Sequence, residues 1–72
     1  MNEKIKNLII DYQKQIERYD YELSIIKQRE TEIRNDSRRA YLDELDDLYQ
    51  ERQIKNAQRR RTIQFVSDLK YL

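Results

Sequence analysis

Isoleucine, leucine and tyrosine recur along the first half of this chain at alternating steps of four and three residues. Ile5, Ile9, Tyr12, Ile16, Tyr19, Leu23, Ile26 and Ile33 form the series, and only Glu30 breaks it. An average spacing of about 3.5 residues is the stripe of a helix that lies along another helix. A strand, with its period of two, cannot use it. The absence of Gly and Pro removes the residues of tight turns and bulges, which reinforces an all-α reading.

The first helix is expected to begin at Glu3, with Asn2 as its N-cap, because an Asn side chain accepts a hydrogen bond from a free backbone N–H. Glu3 suits the positive end of the helix dipole and Arg34 the negative end. The stripe runs to Ile33, and the segment spans about 45 Å at 1.5 Å per residue. Asn35-Asp36-Ser37 follows at the midpoint of the chain. Asn35 tolerates a left-handed helix end, and Asp36 or Ser37 can cap the next helix. The expected fold is therefore a single domain over residues 1–72, an antiparallel two-helix hairpin of coiled-coil type. Its helices cover 3–34 and 38–71, with a turn at 35–37. The rival is one continuous helix of about 100 Å.

The second half carries the more informative pattern. Tyr41, Leu42, Leu45, Leu48 and Tyr49 cluster on one helical face, and Ile63 and Val66 return to it. Between them, Arg52, Lys55, Asn56 and Arg59 fall within the same arc, since each residue advances about 100°. Polar residues at core positions are either faults or devices. In a hairpin they lie opposite Ile16, Tyr19 and Leu23, flanked by Asp20 and Glu22. The structural expectation is that Arg52, Lys55 and Arg59 pack their stems on the stripe. Their heads would then reach Asp20, Glu22, Glu17 or a tyrosine hydroxyl, an arrangement that sets register more than it stabilises.

The same residues also allow a nucleic-acid reading. From Arg52 to Ser67 there are five basic residues, Arg52, Lys55, Arg59, Arg60 and Arg61, and no acid. A basic helix in a dimer is an electrostatic footprint for DNA, but the net charge of the whole chain is only +1. Arg59, Arg60 and Arg61 point about 100° apart in succession, so they cannot all reach one neighbouring helix. Upstream, Asp43, Glu44, Asp46, Asp47 and Glu51 form an acidic block in the N-terminal half of their helix, where the dipole favours acids.

Catalytic chemistry is not expected. The chain has no His, Cys or Gly, which removes the commonest general base, the thiol nucleophile and the phosphate-cradling loop. Tyr12 and Tyr19 occupy stripe positions, where the ring packs and the hydroxyl finds a neighbour. No cofactor, metal or small-molecule substrate is expected, and no apolar run or leader pattern indicates a membrane span or export. A cytoplasmic protein is the default reading. Frequent Ile, Tyr, Asn and Lys point to an AT-rich coding sequence, of the kind that low-GC bacteria and their phages carry.

A hairpin has one interface, and at 72 residues the seam alone barely offsets the ordering of the chain. Ile10, Tyr21 and Ile25 lie off the stripe of the first helix. Ile54, Ala57, Phe65 and Leu72 lie roughly opposite the main face of the second. A homodimer that forms a four-helix bundle would bury both sets. The function expected first is that of a small non-enzymatic adaptor, regulator or inhibitor, phage-encoded or carried on a mobile element, acting by protein contact. Arg60, Arg61, Ile54, Phe65 and Tyr21 are its contact residues. The alternative is a dimeric DNA-binding transcriptional or replication accessory factor, with Arg52, Lys55, Arg59, Arg60 and Arg61 on phosphates.

Overall fold

The computed structural model describes residues 2–36 and 42–71. Two helices, α1 (Glu3–Asn35) and α2 (Leu42–Lys70), pack against each other as an all-α hairpin measuring 55 × 15 × 12 Å. A continuous helix is thereby excluded. The N-cap of α1 forms as expected: Asn2 Oδ1 accepts the Lys4 N–H at 2.8 Å, with Glu3 in the first turn and Arg34 in the last.

The end of α1 differs from expectation. Asn35 is helical, and no described residue has a positive φ. Asp36 leaves the helix in extended conformation, φ −102° and ψ 115°, and its N–H donates to the Ile33 carbonyl at 3.0 Å. That bond ties off a terminal carbonyl without a left-handed residue, so the reversal expected at Asn35 is not needed. Asp36 is the C-cap of α1, and the start of the second helix, where Asp36 or Ser37 was expected as a cap, falls outside the described residues. Ser37, Tyr41 and the expected first residues of the second helix, 38–41, lie outside the described residues, as does Leu72.

Every stripe residue of α1 is buried or half-buried, and Ile9, Ile26 and Ile33 are the most enclosed. On α2 the buried face is rotated from the expected one. Leu45, Leu48, Arg52, Lys55, Arg59, Thr62, Val66 and Leu69 turn inward at alternating steps of three and four. Leu42 and Tyr49 are exposed, and Ile63 is 39% exposed beside the seam. A strict two-in-seven stripe continues straight through the cations to Thr62. An apolar-only count jumps instead from Leu48 to Ile63 and slips sideways by one position. Thr62 tolerates its buried place because its hydroxyl donates to the Gln58 carbonyl at 2.9 Å. The aliphatic core is thin, with Ile9, Ile26, Ile33 and Val66 as its enclosed members.

Candidate functional site

The centre of the helix pair is polar. Lys55 Nζ donates to Glu22 Oε2 at 2.7 Å, and Arg59 Nε donates to Asp20 Oδ1 at 2.6 Å. Both partners are those the helical geometry indicated. Arg52 pairs elsewhere: its Nη1 donates to Glu30 Oε2 at 3.2 Å. Glu30 is the residue that breaks the apolar series of α1. It occupies a stripe position, so its carboxylate enters the seam and meets the cation that breaks the opposite stripe. Neither Glu17 nor a tyrosine hydroxyl is an acceptor for these three cations in the described residues.

Glu30 is 4% exposed, and its Oε1 has no hydrogen-bond partner among the described residues. Its other oxygen also lies 3.6 Å from Arg34 Nη2, one turn away. A buried carboxylate served on one side only is costly, and such a layer restricts which registers the two helices can adopt. The Arg52 guanidinium lies 5.4 Å from the ring centre of Tyr49, which explains why an exposed tyrosine stays close to the seam.

A fourth bridge closes the loop end. Arg29 Nε and Nη2 donate to Glu44 Oε1 and Oε2 at 2.7 and 3.1 Å, a two-pronged clamp between α1 and α2. Arg29 Nη1 also reaches Glu32 at 3.3 Å. The clamp holds the Glu44 carboxyl below the usual carboxylate range, and the Arg29 guanidinium is pushed up by the same bonds. The Lys55 ammonium is likewise raised, first by its hydrogen bond to Glu22. Sequence reasoning missed Arg29 as a cross-helix partner because it sits beside the stripe and because the helix dipole already accounted for Glu44 at the start of α2. Its place one position before Glu30 was the available signal.

The expected contact residues are all exposed, but they do not form one surface. Ile54 (60% exposed), Arg60 and Arg61 share the outer face of α2. Tyr21 (67% exposed) lies with Ile10 and Ile25 on the outside of α1. Phe65 is not opposite the main face of α2: its ring centre is 6.0 Å from that of Tyr12 at a tilt of 36°. There it borders a shallow groove of about 180 Å³ with Leu8, Asp68 and Leu69, at the open end of the hairpin. Of the five cations in the basic stretch, Arg52, Lys55 and Arg59 turn to α1 carboxylates, whereas Arg60 and Arg61 face outward.

Among the described residues no cluster of carboxylates is arranged to hold a metal ion, and neither helix is long and apolar enough to cross a membrane. The chain matches no family model, no curated protein and no solved structure.

Proposed function

We propose that this protein is a non-enzymatic helical adaptor, regulator or inhibitor that acts by contact with another protein. The observation that carries the reading is the use of Arg52, Lys55 and Arg59 inside the hairpin. Cations already bonded to carboxylates are poor phosphate ligands, so the DNA-binding alternative retains only Arg60 and Arg61. Two phosphate contacts give a weak, non-specific interaction at physiological salt.

Support for a protein partner comes from the apolar rim of the open end. Phe65 and Leu8 are 46% and 45% exposed on one small surface, backed by Tyr12 and Leu69. An aromatic residue set in a shallow apolar groove and bordered by charge is the usual anchor of a protein interface. The reading includes a cytoplasmic location, where the partner is to be sought.

Two measurements test it. A photo-reactive residue at position 65 should cross-link one defined protein in the native host, and Leu8→Lys should abolish that product. The same probe at Gln28, exposed on the far side of α1, should give none. In parallel, a DNA titration at ~50 mM salt should yield a log–log salt slope no steeper than about −2 for one chain or about −4 for a dimer, the values for two and four phosphates. Tight binding with a slope clearly steeper than about −4 would restore the nucleic-acid reading, and it would require the seam cations to leave their partners.

A further inference from the structure

We infer that the outer face of α2 is a self-complementary dimer surface, on which a second copy of the chain packs antiparallel about an axis near Gln53 and Ile54. The face carries Asp46 and Asp47 at one end and Arg60 and Arg61 at the other, all exposed. Among the described residues, none of the four has an ion-pair partner in the hairpin. Asp46 and Arg60 are separated by two heptads, as are Asp47 and Arg61, so the two charge pairs lie on one side of the helix, about 20 Å apart at 1.5 Å per residue. Their common midpoint falls between Gln53 and Ile54. Turning a second α2 end for end about that midpoint sets Asp46 and Asp47 against Arg60 and Arg61 of the other copy, at both ends of the contact.

The centre of the face suits such a contact. Ile54 is 60% exposed, and Ala57, one turn further on, is small enough to admit a close helix. The helix dipole accounts for Asp43 and Glu44, which stand in the first turn of α2. Its influence fades within that turn, so Asp46 and Asp47 are left without an internal purpose. A parallel dimer would set acid on acid and base on base. The assembly is thus a flat row, α1–α2–α2–α1, rather than the square four-helix bundle that the apolar residues alone imply, and it leaves the Phe65 groove open. It holds irrespective of any heterologous partner.

Charge reversal tests the geometry without touching the seam. Sedimentation equilibrium of the full chain at ~50 mM salt, where the Debye length is longer than at physiological strength, should show a dimer that weakens as salt rises. Asp46→Arg with Asp47→Arg should be monomeric, with self-affinity reduced about tenfold or more, and so should Arg60→Asp with Arg61→Asp. Mixed together, the two variants should form a heterodimer at least as tight as the parent, which an unfolded variant could not produce. Because the chain has no cysteine, Ile54→Cys in the otherwise unchanged protein should oxidise rapidly to a disulfide dimer, while Gln64→Cys should not. A monomeric parent at ~100 µM, a concentration that populates even weak dimers, would overturn the inference. So would a dimer indifferent to both reversals, which would place the contact on another face.

Discussion

Glu30 shows how much one residue can decide. At its position an isoleucine would continue the stripe of α1, and the carboxylate there draws Arg52 across the seam at 3.2 Å. Removing Arg52 alone leaves a buried carboxylate with only Arg34 nearby, so Arg52→Ala should destabilise the hairpin by about 1–3 kcal/mol in urea unfolding, less than for a fully enclosed pair. Replacing both, Glu30→Ile with Arg52→Leu, should hold stability or raise it by ~1–2 kcal/mol, since paired charges in a seam rarely outdo apolar packing. Arg52→Leu without the partner change should not be neutral, because its partner is the enclosed Glu30 rather than the half-exposed Asp20 or Glu22. Titration offers a second residue-scale check. Glu44 has a depressed pKa in the folded state, so its contribution is present above the unfolded carboxyl pKa of about 4.3 and is lost as pH falls through the folded value. Lys55 is raised, so its contribution is complete below the unfolded pKa of about 10.4 and is lost as pH climbs through the folded value. Melting temperature should therefore be flat across neutral pH and fall at both extremes, and Glu44→Gln should shrink the drop between pH 6 and 3.

At the scale of the elements, the two helices were not equally legible. The stripe of α1 could be read residue by residue because apolar side chains mark all but one of its positions, and the cap at Asn2 follows from local chemistry alone. The buried face of α2 was harder, because Arg52, Lys55, Arg59 and Thr62 occupy four successive stripe positions and leave no apolar marker between Leu48 and Val66. The cations were legible as a polar interruption, and two of their three partners followed from helical arithmetic. Glu30 escaped because an acid in an apolar series registers as a gap until the opposite helix is in place. Phe65 was misjudged for a related reason: with the face of α2 set by Ile63, its angle came out too far from Tyr12. The corrected face separates two neighbours. Val66→Ala should cost about 1–2 kcal/mol of stability, whereas Ile63→Ala should cost less than ~1 kcal/mol, because much of that side chain is already in water. Thermal melts of the two variants decide between the faces.

For the molecule as a whole, the charge blocks divide by destination. Arg52, Lys55 and Arg59 bond to carboxylates of α1 across the seam, and Arg60 and Arg61 face outward. This division explains how a chain with 40% charged residues and a net charge of +1 can fold around so thin a core. It also leaves Arg60 and Arg61 as the two cations of the basic stretch that face outward. Aromatic and aliphatic residues left on the surface lie in separate patches. All of this rests on the polar layer being a true cross-helix contact. A double-mutant cycle on Glu30 and Arg52, using Glu30→Ala, Arg52→Ala and the double variant, measures it most directly through the free energy of global unfolding. The expected result is a coupling of about 1 kcal/mol or more between the two sites, within the range for residues in direct contact. Additive effects, agreeing to within about 0.3 kcal/mol as independent sites do, would mean that the layer does not tie α1 to α2, and the division of charges drawn from it would not stand.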